Sequence, residues 1–545
     1  MISDARFGVI VCGDQLAAWQ ARCIADLVQG GARLQVVVVW AEPVGAAKNS
    51  QRNVWRAFEA YAVKNVPGLR PVDWRREYRE VEIVNANVDN TGQLGLSAEL
   101  YTTLRERRLE FLLNFANEAA APDLLDVPKA GVWSFQLNDV TKFDGRLPGF
   151  WEICRGDKLI RCALVRCTRQ GAQVLRAGTF RSVVDSYVAT ASTALNACVP
   201  WPRLAWRMLA QNGRMLDSAN RFCHAPSLSA DPTAFQVAVF AIRLSAARLR
   251  LMFKWWVYRE QWCVGIIDRP IQSLIGATRV SDVKWFFSDE RHRYFADPFG
   301  IADGETITVL AEEYPATTNR GKISSFAVRD GAVVHDPTVV LELDGHLSYP
   351  YLFRHQGKLY CVPESNELGE TTLYEITRFP NRWTKVHTLL RGKYVDPTLF
   401  QYDGRWWLFA TSMEHEGVTT LYIWHSADLF GEWVPHAANP VKMDVCSSRP
   451  AGAPFEHEGR LYRPAQNCGA TYGGGIALNR IIRLTPDEFE EEVATQLEPE
   501  SPGPFPLGLH TLSAVGARTL VDGKTYFFSM EQFRDVLRAK LRRLF

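Results

Sequence analysis

FADPFGIADGETITVLAEE (295–313), SYPYLFRHQGKLYCVPES (348–365), VDPTLFQYDGRWWLFATS (395–412) and RPAGAPFEHEGRLYRPAQN (449–467) share one pattern, which decides the fold of the second half of the chain. Each opens on a Pro or Asp-Pro corner and runs through a short apolar strand. It then turns at Asp-Gly or a similar pair and returns as an aromatic-rich strand. A weaker fifth copy, HTLSAVGARTLVDGKTYFFSM (510–530), keeps the turn and the return strand. The turn glycines are read at 304, 357, 404, 459 and 523, with gaps of 53, 47, 55 and 64 residues. Hairpin chemistry repeated every ~40–50 residues is the mark of a β-propeller, and five copies predict five blades.

The chain has 545 residues, enough for two or three domains. A hydrophobic fraction of 47% and a charged fraction of 22% are ordinary globular values. The net charge of +2 gives no nucleic-acid footprint. The opening MISDARFGVIVCGDQ lacks a basic, then apolar, then cleavable leader, and no uncharged apolar run reaches the ~18 residues of a spanning helix. The 11 cysteines are scattered, odd in number and form no CxxC pair. They read as reduced, buried thiols, which with the missing leader predicts a cytoplasmic protein.

The N-terminal third alternates continuous apolar strands with helical stretches. FGVIVCGD (7–14), LQVVVVW (34–40), VEIVNANV (81–88) and LEFLLNFA (109–116) are the strands; LAAWQARCIADLVQGG (16–31) and about 97–107 are the helices. Strands without alternation, separated by helices, predict a parallel sheet covered on both faces, a Rossmann-like α/β domain over 1–190. No GxGxxG follows the first strand, so a dinucleotide site is not supported. LEFLLNFANEAAAPDLLDVPKAGVWSFQLNDVTKFDGRLPGFWEICRGDKL, which starts at Leu109, resembles the catalytic domain of methionyl-tRNA and sugar formyltransferases. That family places an Asn and a His one residue apart after the first glycine. Counting from Gly131, the matching positions hold Ser134 and Gln136, neither of which titrates near neutrality. The family's later Asp loop corresponds to CTRQGAQVLRAGTF (167–180), which offers no carboxylate. The resemblance therefore implies a retained fold with degenerate formyl chemistry.

Residues 191–270 are expected to form a helical connector, 271–530 the propeller and 531–545 a basic amphipathic helix. AFQVAVFAIRLSAARLRLMFKWWVYREQW (234–262) mixes Arg and Lys with Leu, Phe and Trp, as does MEQFRDVLRAKLRRLF (530–545). Such faces suit either a membrane surface, at the inner side of a membrane for a cytoplasmic chain, or packing between domains.

In a propeller the innermost strand of each blade lines the centre, and the repeat places Asp297, Tyr349, Asp396, Arg449 and His510 at or near its start. Glu364, with Glu312 as its blade-one counterpart, ends the next strand. One Asp-Pro alone is explained as a corner. Two in equivalent repeats, with an Arg and a His in the others, point to a site. Arg449 could grip a phosphate or carboxylate bidentately, or tie blades together through a salt bridge to Asp396 or Asp297. Arg463, Gln466 and Tyr472 fall nearby in the pattern as further substrate-binding candidates. Trp406 and Trp407 read mainly as core. No His/Cys/Asp cluster has catalytic zinc spacing, so no metal or other cofactor is expected for the chemistry.

FADPF (295–299), SYPYLF (348–353), PES (363–365), DPTLF (396–400), SRPAG (448–452), YGGG (472–475) and HTLS (510–513) resemble the five-bladed propellers of family 43 glycoside hydrolases. The same motifs are still more similar to the propeller region of plant glucosamine inositolphosphorylceramide transferases and its bacterial counterparts, which pair it with a formyltransferase-like N-terminus. The hydrolase resemblance implies Asp297 as general base and Asp396 as the carboxylate that tunes it. It allows a structural Ca²⁺ in the channel near His510. The hydrolases' acid, a Glu opening a blade strand, is replaced here by SRPAG, leaving Glu364 as the substitute on another strand. Together these imply a carbohydrate-active protein in surface polysaccharide or glycolipid synthesis, more by glycosyl transfer than hydrolysis. Its ligand would be a sugar or nucleotide sugar, with a lipid-linked acceptor at the membrane and no nucleic acid. The alternatives are a non-catalytic sugar-binding scaffold and a formyltransferase acting on a nucleotide-linked amino sugar.

Overall fold

The structure is a computed structural model that describes residues 5–40, 50–88, 94–95, 98–116, 122–138, 147–212, 232–318, 320–415 and 417–534. The chain divides into two compact units, Met1–Leu251 and Met252–Phe545.

In the first unit the four apolar runs become strands Arg6–Cys12, Arg33–Trp40, Glu82–Val88 and Phe111–Asn114. They pair in parallel, Phe111–Asn114 beside Arg6–Cys12 beside Arg33–Trp40 beside Glu82–Val88, with Val132–Gln136 added parallel on the outer side of Phe111–Asn114. Continuous Val, Ile and Leu runs suit strands covered on both faces. The helices read between them are found at Ala18–Gln29 and Ala98–Glu106. Phe111 stacks on Trp133 with ring centroids 4.0 Å apart, locking two neighbouring strands. The segment 167–180, expected as a loop, is instead the turn and return strand of the antiparallel hairpin Leu159–Thr168/Gly171–Arg181 at the sheet edge. Its alternation of buried and exposed residues already fits a strand.

The second unit is the five-bladed propeller. Blade one runs Arg293–Leu341, blade two Ser348–Arg391, blade three Tyr394–Pro435 with a short added strand at Lys442–Met443, and blade four Phe455–Leu497, each an antiparallel sheet ordered from first strand to last. Blade five takes strands from both ends of the unit: Lys284–Phe286 and Tyr258–Ile267 pair onto Arg518–Phe528 and Leu512–Val515. The propeller therefore begins at Tyr258, not at 271. The strand Tyr258–Ile267 was hidden because its first residues extend an amphipathic run that is helical as far as Val257. Fourth strands such as Ala332–Leu341 are largely exposed, whereas first and second strands are largely buried, so the core lies toward the middle and between blades. Trp406 and Trp407 are both core residues.

The turns follow the sequence. Gln356-Gly357, Asp403-Gly404 and Glu458-Gly459 have positive φ at both residues, as the two-residue hairpin turn matching strand twist requires. The fifth turn is not at Gly523, which lies inside Arg518–Phe528; it is at Gly516, with Val515 paired to Arg518.

Candidate active site at the propeller centre

The Pro corners turn out to be β-bulges. In the first strands of blades one, two and three the pairing register slips between Ala296 and Phe299, Ser348 and Tyr351, and Val395 and Thr398. The extra residues are Asp297, Tyr349 and Asp396, with φ of 51°, 43° and 50°. A left-handed residue followed by Pro stops the ladder and re-aims the side chain. Asp tolerates this conformation through its short polar side chain, whereas Tyr349 is held by its surroundings. Its hydroxyl meets Thr398 Oγ1 at 2.9 Å and its ring meets Phe299 edge-on.

These bulges carry a chain of contacts from blade to blade. Asp522 of blade five accepts from the Asp297 backbone N–H at 3.1 Å, and Asp297 accepts from the Tyr349 N–H at 3.3 Å. Glu364 of blade two accepts from the Asp396 N–H at 3.3 Å. Arg449 of blade four grips Asp396 with Nε at 2.6 Å and Nη2 at 3.1 Å. The Leu512 N–H donates to the Ala451 carbonyl at 2.8 Å, closing blade four onto five.

Two charge centres result. In one, His510 Nδ1 lies 2.5 Å from Asp522 and 3.7 Å from Asp297, and its ring stacks on Trp262 at 3.9 Å. Thr511 Oγ1 donates to Asp297 at 2.6 Å. In the other, Asp396 also accepts from Gln466 Nε2 at 2.8 Å, Arg449 Nη2 lies 3.5 Å from Glu364, and the guanidinium sits 5.2 Å from the Tyr472 ring centroid. Tyr472 also meets His510 edge-on at 5.6 Å, so it joins the two centres. Glu312, opposite Ala296, lies 3.5 Å from His346 Nε2.

Burial sets the electrostatics. Asp396 is pushed up to about 7 by burial, against the pull of Arg449 and with the help of the Glu364 charge. Burial also raises Asp297, although His510 opposes it. Glu312 is raised well above the carboxylate range by burial and then by the charges of Asp297, Glu364 and Asp396. Burial alone would lower His510, but Asp522 and Asp297 outweigh it and hold the imidazole protonated above its usual range. The site can thus present an aspartate braced by an imidazolium, beside Asp396, whose carboxyl exchanges its proton near neutrality.

The structure brings together Asp297, Glu364, Asp396, Arg449, Gln466, Tyr472 and His510. Arg449 takes its salt-bridge alternative: Nε and Nη2 serve Asp396 and Nη1 donates to the Gly417 carbonyl at 2.8 Å, so it is not a ready anion clamp. Arg463 is fully buried, with its donors on Glu491 and the Ser447 and Ser448 carbonyls, and braces the loop that carries Arg449 instead of facing a ligand. The Tyr349 ring is core; its backbone, not its side chain, serves the centre. Ser134 and Gln136 lie in the first unit, on the strand Val132–Gln136.

Sequence reasoning missed Asp522 and Trp262. Asp522 was absorbed into a supposed Asp-Gly turn. Spacing could have found it: Glu364, Thr411 and Gln466 each follow their turn glycine by seven residues, and the same count from Gly516 ends beside Asp522. Asp297, His510 and Asp522 are, among the described residues, the group whose ligand atoms converge within 4.8 Å. These atoms already pair with one another and with the backbone N–H groups of His510 and Thr511. With an imidazolium among them they do not fit Ca²⁺, which takes six to eight oxygen ligands.

Residues 278–504 match the family described as glucosamine inositolphosphorylceramide transferase 1, N-terminal. The chain is 36% identical over 204 residues to glucosamine inositolphosphorylceramide transferase 1 of Oryza sativa subsp. japonica, covering 36% of this chain and 27% of that protein. It is 33% identical over 219 residues to the protein of the same name from Arabidopsis thaliana, covering 38% of this chain and 28% of the relative. The chain thus spans little more than a quarter of these relatives' length. Among solved structures it is similar to the GH43 protein BlXynB from Bacillus licheniformis, with a TM-score of 0.30 and 16% identity over 37% of this chain and 44% of that one. The propeller region of this chain is therefore similar in sequence to the N-terminal region of glucosamine inositolphosphorylceramide transferases.

Proposed function

We propose that the chain catalyses glycosyl transfer at the propeller centre, in the synthesis of a glycolipid or surface glycan. The observation that carries this is the gathering of Asp297 and Asp396, delivered by strand bulges in blades one and three, and of Glu364 from a second strand, around Arg449 and His510. Asp297 is the general base. It takes the proton of an acceptor hydroxyl as that oxygen attacks the sugar's anomeric carbon, and the donor's leaving group departs with the bonding electron pair. His510 and the Thr511 hydroxyl support the ionised form of Asp297. Asp396 and Glu364, paired with Arg449, set the charge of the centre, and Asp297 gives up the proton it took once the product leaves. The relatives' name includes a sugar and an inositolphosphorylceramide, which supports a sugar donor and a lipid-borne acceptor here.

In the test, purified full-length chain is incubated with labelled nucleotide sugars and inositol-phosphate lipids. Transfer is expected, with Asp297→Asn slowing it by at least about 100-fold while the variant still unfolds cooperatively. Full activity in that variant would remove Asp297 from the mechanism. A second reading, sugar binding without turnover, is favoured by the exposure of the central carboxylates, only 5% for Asp297, 4% for Glu364 and 1% for Asp396. Calorimetric binding of a sugar with no transfer or release would establish it.

A further inference from the structure

The long helix Ala234–Val257 carries an apolar stripe turned to solvent. Phe235, Ile242 and Leu249, seven residues apart and so on one side of a helix, are 77%, 68% and 67% exposed. At its C-terminal end, within the propeller unit, Met252, Phe253 and Trp255 are 49%, 65% and 72% exposed. They continue into strand ends where Tyr258 pairs with Phe528, their rings 6.3 Å apart, and where Met530 is 50% exposed. Large apolar side chains exposed singly are ordinary; a contiguous group of this kind marks a surface that something covers.

The charges indicate what covers it. The helix holds Arg243, Arg248, Arg250 and Lys254 and not one acidic residue. Arg248 donates to the Asp185 carbonyl and Arg250 is exposed. Lys254 Nζ lies 3.4 Å from the Tyr526 ring centroid, and Arg291 sits over Phe527 at 4.8 Å. Beyond Met530 come Glu531 and Asp535, but the sequence then runs VLRAKLRRLF (536–545), with four cations and no acid. Two copies of such a face would bring like charges together. Trp and Tyr with flanking Arg and Lys suit the boundary of an anionic bilayer, where the aromatics enter the headgroup layer and the cations meet lipid phosphates. No helix of the described residues is long and apolar enough to cross a membrane.

We propose that the end of this helix, with Trp255, Tyr258, Phe528 and Met530, is a docking surface for anionic phospholipid membranes. It holds the protein on the bilayer without spanning it. This stands whether or not the propeller transfers sugar.

The test floats the full chain with phosphatidylcholine vesicles, with and without about 30 mol% phosphatidylserine. Binding is expected only with the anionic lipid, and it should weaken as salt rises. Phe253→Asp and Trp255→Asp should each reduce it at least about tenfold, with melting temperature and sugar binding unchanged because both side chains lie outside the core. Three results would overturn the proposal: no binding to anionic vesicles, equal binding to phosphatidylcholine alone, or variants that bind as well as the parent. So would a dimer in analytical ultracentrifugation that these variants dissociate, since a second copy would then be the occupant.

Discussion

Asp297, Glu312 and Asp396 invert the usual acid sensitivity of a folded protein. Each holds its proton more tightly folded than unfolded, so each costs stability once pH passes the ordinary carboxylate range. For Asp396 the cost accumulates from its usual 3.8 up to about 7. His510, raised above its usual 6.5, contributes in full below that value and loses the contribution as pH climbs through its folded one. The two trends have the same sign, so the propeller is expected to melt at a lower temperature at about pH 9 than at about pH 6. In His510→Gln that fall should shrink; an unchanged fall in calorimetry would show that the imidazole is not charged. Glu491 behaves the other way. Burial would raise it, but Arg463 and Lys442 hold it below its usual 4.5, so its contribution is lost only in acid. Arg449→Met leaves Asp396 buried without its cation and should cost about 3–5 kcal/mol in chemical denaturation, whereas removing both charges with Asp396→Leu/Arg449→Met should cost less than the sum of the two single changes.

Within the blades, glycines separate seams from turns. A Cβ on Gly452, at φ +138°, would stand 1.8 Å from the Leu512 carbonyl oxygen, on the contact that joins blades four and five. Gly452→Ala is expected to cost at least about 2–3 kcal/mol, since backbone on both sides must move. At Gly516, φ +61° with only Ala302 Cβ near, Asn should cost less than about 1 kcal/mol. Equal denaturation midpoints for the two variants would disprove the distinction. The same local chemistry explains what could be read in advance. Two-residue turns and Asp-Pro bulges are decided by three or four residues in a row, so Asp297, Asp396 and four of the five turns were legible. Tyr258–Ile267 was not, because nothing near Arg259 shows that its partner is the strand ending at Phe528. Asp522 was lost to its neighbour Gly523, which is small for a different reason: a Cβ there would meet the Trp285 ring at 2.4 Å. The burial of Tyr349 and Arg463 was likewise invisible, because it depends on what the other blades bring against them.

For the molecule as a whole, the two units follow two physical patterns, parallel strands buried on both faces and antiparallel hairpins repeated around an axis. The second requires a closed ring. Blade five supplies the closure, tying Tyr526 to Glu260 across 266 residues with a 2.7 Å hydrogen bond. Removing residues 512–545 should therefore do more than shorten one sheet. It strips Asp522 from Asp297 and leaves the strand Tyr258–Ile267 with an open edge, so loss of cooperative unfolding and aggregation are expected. A soluble, cooperatively melting truncation would contradict this. Synthesis runs from the N-terminus, so Asp297 emerges more than two hundred residues before Asp522, the aspartate that supports its backbone. A nascent chain that stops short of Asp522 holds Asp297 and Asp396 without the arrangement that the closed ring imposes on them.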